Sequence, residues 1–490
     1  MQTCCRNRGA SMKKRRSNKL NTLLLCTTVI LAIAVGTYII ISVMLGSDGL
    51  FVGNFLRISE RMWHLILFLL CFLGGMLFLF WAFGRGLEAR TKKLVRAAKR
   101  AIKAVDETEE QKKAAREAKE LSVTVGAGGV DGTRFSRLCT IDAQAENYIE
   151  PDFRTEVDLC SLCNDFRSYA ASKKGLYYDI KTVRSFVAGL AVSRLVIFQG
   201  MSGTGKTSLA CAFGDFLKNP SVLIPVQPSW KEKTDLVGYF NEFTKNYNET
   251  ELLTKIYEAG GNGKIYITVL DEMNIARVEY YFAEFLSVLE MPDPERRLIE
   301  IVSDSVPSDP KRIVDGKVKL PENMWYIGTA NNDDSTMAIS DKVYDRAMII
   351  DLDRRALPFD APEVEAYPVS YEKFASLIKQ AKRRYALTLR NRRRIEQLDS
   401  YLIENLGITF GNRIMRQIES YVPVYIACGG SELEAIDTIL AKKVLRKLES
   451  KNPVYVKNAA SALSLYLDEL FEEDSLPICR GVLERFTSVA

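Results

Sequence analysis

Hydrophobic and polar positions change period several times along the chain. From Asn21 to Gly46 no residue is charged, and from Met62 to Gly84 the only ionisable group is His64. At about 1.5 Å per residue each run makes a helix of roughly 35 Å, enough to cross a hydrocarbon core about 30 Å thick. The pattern predicts transmembrane helices at 21–46 and 62–84. Residues 86–121 lack Pro and, after Gly86, lack Gly, and they place Leu94, Ala98, Ala101, Ile102 and Val105 at three- and four-residue spacing. That reads as a charged helix continuing from the second span, solitary or in a coiled coil. Gly126, Gly128, Gly129 and Gly132 mark a break, so 122–150 reads as a Gly-containing linker. Leu159, Leu162, Cys163 and Phe166 then recur at helical spacing. From residue 194 short β-branched or aromatic runs at Leu195–Phe198, Ser221–Val226, Ile265–Leu270, Met324–Gly328 and Met348–Leu352 alternate with helical stretches. This predicts an α/β domain with a parallel sheet over 151–365. Beyond it the strand signal fades, and Phe374/Leu377/Ile378/Ala381, Ile395/Leu398/Leu402 and Ile414/Met415/Ile418 predict a helical C-terminal domain over 366–490.

Charge orients the two spans. Residues 1–20 form a basic N-terminus with seven Lys and Arg, eight more cluster at 85–103 after the second span, and the connecting loop has only Arg57 and Arg61. The positive-inside bias places both ends in the cytoplasm, giving a multi-pass hairpin anchor in the cell (inner) membrane with its N- and C-termini cytoplasmic. A cleaved signal peptide is the alternative for the first span, but its apolar stretch exceeds the roughly 7–15 residues usual there and no A-x-A-like site follows. Trp63 and His64 fall at the outer interface of the second span.

The net charge of +6 conceals an asymmetry. Residues 1–105 contain 17 Lys and Arg against 3 Asp and Glu, which leaves 50 basic and 58 acidic residues in 106–490. A nucleic-acid partner is therefore not favoured for the body of the chain. The 490 residues allow two to four domains. A single histidine removes zinc-protease and His-based triad chemistry. Cys160-x-x-Cys163 has no second pair to complete a zinc site and reads as one turn of an amphipathic helix, so the ten cysteines read as reduced thiols.

The chemistry lies in the α/β region. Gly200-Met-Ser202-Gly203-Thr204-Gly205-Lys206-Thr207 satisfies G-x-x-x-x-G-K-[ST] directly after a predicted strand, with a helix-compatible run from Ser208. Glycines let backbone N–H groups wrap phosphate oxygens at a helix N-terminus, Lys206 adds a point charge at the β/γ-phosphates, and the Thr207 hydroxyl can bind Mg²⁺. Sixty-five residues after Lys206, the strand Ile265–Leu270 ends in Asp271-Glu272. An acidic pair at the carboxyl end of a parallel strand is where a metal-holding Asp and a water-activating Glu would project beside the phosphates.

Three segments carry a resemblance. Leu270-Asp271-Glu272-Met273-Asn274, the run from Trp325 through Asn331-Asn332-Asp333-Asp334-Ser335, and Asp341-Lys-Val-Tyr-Asp-Arg346-Ala resemble the Walker B, sensor 1 and arginine-finger segments of AAA+ ATPases, most closely the McrB-like branch. The resemblance covers about residues 155–450. It implies a P-loop domain with a helical lid, Asn331 orienting the attacking water, Arg346 reaching the γ-phosphate of the next subunit in an expected hexameric ring, and Arg413 or Arg416 as sensor 2. McrB-type proteins use GTP and an Asn-Thr-Ala-Asp run where this chain reads Asn331-Asn332-Asp333-Asp334, which makes ATP with Mg²⁺ the expected cofactor pair and GTP the alternative. A structural ion pair with Asp341 or Asp345 is the plainer account of Arg346, and a strand-end cap that of Asn331. Tyr239 and Phe240 would face a central pore or pack against the sheet, and Tyr280-Tyr281-Phe282-Phe285 reads as core. The expected function is a membrane-anchored ATPase that remodels a protein or assembly at the cytoplasmic face. The alternatives are an NTP-driven restriction motor working with a nuclease partner, and a slow nucleotide-gated scaffold or sensor.

Overall fold

The computed structural model describes residues 133–331 and 336–488. The basic N-terminus, both predicted spans, the 86–121 helix and Asn332–Ser335 lie outside the described residues. Among the described residues no helix is long and apolar enough to cross a membrane.

The described chain begins with α1 (Ser136–Ala145), α2 (Leu159–Lys174) and α3 (Ile180–Leu190), followed by β1 (Leu195–Gly200) and α4 (Lys206–Phe216). Next come β2 (Val222–Pro225), the single turn α5 (Thr234–Val237), the hairpin β3 (Gly238–Asn241) and β4 (Asn246–Glu249), and α6 (Glu251–Ala259). β5 (Tyr266–Asp271) leads to the short helices α7 (Val278–Tyr281) and α8 (Ala283–Val288), and to β6 (Leu298–Glu300), β7 (Ile313–Val314) and β8 (Lys317–Lys319). β9 (Met324–Asn331), α9 (Asp341–Tyr344) and β10 (Met348–Asp351) complete the α/β part. α10 (Tyr371–Arg384), α11 (Leu389–Leu406), α12 (Gly411–Ala427), α13 (Glu432–Lys443), α14 (Pro453–Phe471) and α15 (Pro477–Ser488) make the helical C-terminal region.

All five predicted strands form one parallel sheet in the order β10-β1-β9-β5-β2. Both faces are covered, as a parallel sheet requires, and the alternation of its side chains divides the core. Val196, Phe198, Ile267, Trp325, Ile327 and Ile350 join a cluster with α2, α3, α4 and the C-terminal helices. Leu195, Ile197, Tyr266, Tyr326 and Ile349 join a second cluster with α1, α6, α7 and α8. Local chemistry fixes the helix ends. Asp158 and Ser161 form a capping box at the start of α2 and Gly175 closes it in the left-handed region, while Ser431 and Glu434 cap α13 in the same way.

The 122–150 linker expectation differs from the structure beyond residue 133. α1 packs on α6, with Phe135 and Leu138 buried. The Glu249 carboxylate serves as the cap of this helix, accepting from the Arg137 N–H (2.9 Å), the Leu138 N–H (2.8 Å) and the Ser136 hydroxyl (3.2 Å). A cap supplied from residue 249 leaves no mark near residue 136 in the sequence.

Candidate functional site

β1 is buried along its length and leaves the sheet at Gly200, where φ is +146° and a Cβ would stand 2.5 Å from the Leu352 carbonyl oxygen. Only glycine passes the end of β10 there. The loop that follows delivers the N-terminus of α4, whose first N–H groups have no intrahelical acceptor and so face anything anionic above them. Lys206 is 6% exposed, and its Nζ donates to the carbonyls of Gly200 (3.0 Å) and Met201 (2.7 Å). Two groups brace the loop from outside. The Tyr178 hydroxyl donates to the Gly205 carbonyl (3.1 Å), and Arg355 Nε donates to that of Gly203 (2.9 Å). Burial pushes the Tyr178 hydroxyl well above the usual tyrosine range, so it stays a donor.

The acidic side comes from two neighbouring strands. Asp271 Oδ1 accepts from the Thr207 hydroxyl (2.7 Å) and from the Thr329 hydroxyl (2.9 Å), and the Thr329 oxygen accepts the Glu272 N–H (2.8 Å). Glu272 is a non-glycine residue at φ 51°, ψ 46°, a left-handed conformation that costs roughly 1 kcal/mol and lies at the point where β5 gives way to a 3-10 turn. Parallel pairing puts Gly200 opposite Asn331, which brings the end of β9 beside the loop. The Asn331 carbonyl accepts from Asn274 Nδ2 (3.0 Å) and from the Thr336 hydroxyl (3.0 Å).

These groups enclose a cavity of about 750 Å³. It is lined by Ser202, Gly203, Thr204, Gly205, Lys206, Thr207, Ser208, Asp271, Glu272 and Asn331, so every predicted phosphate, metal and water residue of this half-site meets there except Gly200, which shapes the turn beneath. Gly175–Tyr178 and Arg355–Pro358 complete the wall with aromatic and apolar surface. The Thr207 hydroxyl and Asp271 carboxylate are hard oxygen donors 2.7 Å apart, a set that fits Mg²⁺ held together with substrate phosphates.

Sequence reasoning missed Tyr178, Thr329 and Arg355. Thr329 sits inside the quoted strand, where alternation reports burial and not hydrogen bonding. Tyr178 and Arg355 come from loops with no motif of their own.

Arg346, Arg413 and Arg416 do not line this cavity. They line another, of about 550 Å³, between the helical region and the opposite end of the sheet. Neither Asp341 nor Asp345 pairs with Arg346. Its Nε lies 2.9 Å from Glu290 Oε2, a charge contact without hydrogen-bond alignment, and its Nη1 donates to the Lys342 carbonyl (2.9 Å). Arg413 reaches the same carboxylate, with Nε 3.1 Å from Glu290 Oε1. Arg413, one of the two sensor 2 candidates, is thus grouped with Arg346 on one carboxylate, away from the P-loop cavity of the same chain.

Tyr239 and Phe240 lie on the β3–β4 hairpin and not on the main sheet. Tyr239 is half-exposed, and Phe240 lies under the Arg134 guanidinium. Among the described residues the most exposed aromatic is Phe243, 98% exposed in the turn of the hairpin. Tyr281, Phe282 and Phe285 are core, as expected, whereas Tyr280 is exposed.

No family model matches the chain, and no curated protein matches it. Among solved structures it is similar to a presumed ATPase from Cytophaga hutchinsonii, at 10% identity and a TM-score of 0.41 over 68% of this chain and 95% of that one. It is also similar to an MCM homologue from Methanopyrus kandleri, at 13% identity and a TM-score of 0.34 over 60% of this chain and 62% of that one.

Proposed function

We propose that this chain is a ring-forming AAA+ ATPase, anchored in the membrane by residues 21–46 and 62–84, which uses ATP hydrolysis to remodel a protein at the cytoplasmic face. The observation that carries the reading is the bonded row Thr207–Asp271–Thr329–Glu272 beside a P-loop whose lysine points inward. Phosphoryl transfer asks an enzyme mainly for position and charge. Backbone N–H groups at the start of α4 would take the phosphate oxygens, and Lys206 would exchange the carbonyls of Gly200 and Met201 for phosphate. Thr207 and Asp271 would hold Mg²⁺, which supplies charge neutralisation at the β- and γ-oxygens. Glu272 would accept the proton of the attacking water, and Asn331, from the adjacent strand, would orient that water.

Among the described residues the one arginine lining this cavity is Arg355, whose Nε is engaged by the Gly203 carbonyl. Arg346 and Arg413 share one carboxylate on a separate face, which supports reading both as groups presented to the nucleotide of a neighbouring subunit. Lys206→Ala should abolish ATP binding, because the lysine contacts ground-state phosphates. Glu272→Gln should keep binding near wild type and lower turnover at least about tenfold, because the carboxylate acts only on water. Equal loss of binding in both, or turnover above about a tenth of wild type in Glu272→Gln, overturns the assignment.

A further inference from the structure

The segment that carries Arg346 is held by three side chains at four successive carbonyls. The Tyr344 carbonyl accepts from Lys443 Nζ (2.7 Å), and the Asp345 carbonyl accepts from Gln417 Nε2 (3.0 Å) and, more distantly, from Lys443 Nζ (3.4 Å). The Arg346 carbonyl accepts from the Ser193 hydroxyl (2.7 Å), and the Ala347 carbonyl accepts from Lys443 Nζ. The last carbonyls of a short helix such as α9 have no intrahelical donor and ordinarily turn to water. Here side chains from α12 and α13 take that place.

Lys443 is 3% exposed, and among the described residues no carboxylate lies within ion-pair distance of it. Burying an ammonium without a partner anion is costly, and a methionine of similar length would fill the same space without that cost. What a methionine lacks is three donors on one atom, and three carbonyls of one turn converge on this ammonium. Its neighbour Lys442 pairs with Asp351 at the far end of β10, so one helix end fixes both the entrance and the exit of that strand.

We propose that Lys443 is a positioning residue for Arg346, through which the helical C-terminal region sets the place of the arginine offered to the next subunit. The inference rests on the shared-site reading above. Burial also pushes the Lys443 ammonium down, to about 7, so its charge is within reach of neutral pH. The charged groups facing it are Asp345 from the α9 turn, which favours the cation, and Arg413 from α12 with Arg446 and Lys447 beyond α13, which disfavour it.

The test uses full-length Lys443→Met in subunit mixing. Each interface needs an intact nucleotide site from one subunit and a well-placed Arg346 from the other. Lys443→Met alone should bind ATP within about twofold of wild type and turn over about tenfold more slowly. Mixed with Lys206→Ala, which has a dead site and an intact arginine, it should regain activity. Mixed with Arg346→Ala, it should stay at or below the turnover of Lys443→Met alone, because both partners then lack a placed arginine. A general packing defect would not separate the two mixtures. Wild-type turnover in Lys443→Met, or no recovery with Lys206→Ala in rings shown to contain both subunits, overturns the proposal. Wild-type turnover in Arg346→Ala overturns the shared site instead. Should Lys443→Met fail to fold, Gln417→Leu removes one grip from the same turn. It should show the same mixing pattern with a loss of about threefold, and its absence there counts equally against the proposal.

Discussion

Thr329 performs two tasks with one hydroxyl: it donates to Asp271 and accepts the Glu272 N–H, so the Asp271 carboxylate and the Glu272 backbone are set by the same atom. Lys443 has a comparable place on the arginine face, and its burial gives it a pH signature with two opposite signs. An ammonium donates three hydrogen bonds and a neutral amine two, so above about pH 7 the grip on the Arg346 turn weakens. Turnover of wild type relative to Lys443→Met should therefore be highest near pH 6 and fall toward one by about pH 9. Global stability moves the other way. The folded lysine releases its proton at about 7 and the unfolded one near 10.4, so between these values the unfolded chain binds more protons and the contribution of Lys443 to stability rises with pH. A ratio that rises with pH, or does not change, contradicts a positioning role for the charged lysine.

At the scale of elements, the main sheet was legible because β1, β5, β9 and β10 are buried along nearly their whole length and show as short apolar runs, and the more exposed edge strand β2 is apolar as well. The P-loop and the Asp271-Glu272 pair were legible because the loop backbone and the strand end tie residue type to position. The remaining elements depend on partners far away in sequence. α1 is capped by Glu249 and packed on α6, and its Arg134 doorstep pairs with Asp309 (2.8 Å) and Asp304 (3.0 Å). Within a window around residue 136, glycines and polar residues suggest only a linker. The β3–β4 hairpin and the β6–β8–β7 sheet are too short, at two to four residues per strand, for alternation to register. Glu249→Ala should release α1, at a cost of about 1–2 kcal/mol. Hydrogen exchange should show amides 137 and 138 losing protection while those of β1 and β9 keep theirs. Unchanged protection at 137 and 138 would mean that packing on α6 alone holds the helix.

For the molecule as a whole, the charge pattern and the separation of the two sites make independent demands. With seven and eight basic residues flanking the two apolar runs against two between them, a reporter after Ala490 or before Met1 should read cytoplasmic, and one placed at 47–61 should read external. An external reading at Ala490 overturns the topology and, with it, access to cytoplasmic ATP. The separation of Arg346 from the P-loop cavity makes the stronger demand, because on the proposed shared-site account an isolated subunit holds an incomplete site. An arginine supplied by a neighbour contributes roughly 10³–10⁵ to turnover in phosphoryl transfer. The most direct measurement is steady-state ATP hydrolysis by Arg346→Ala and Lys206→Ala proteins, each alone and then mixed under conditions in which co-assembly is demonstrated. The shared-site account predicts two inactive proteins and partial activity on mixing, greatest at intermediate ratios. Wild-type turnover by Arg346→Ala alone, or inactivity at every ratio in confirmed mixed assemblies, contradicts it and leaves Arg346 as the structural partner of Glu290.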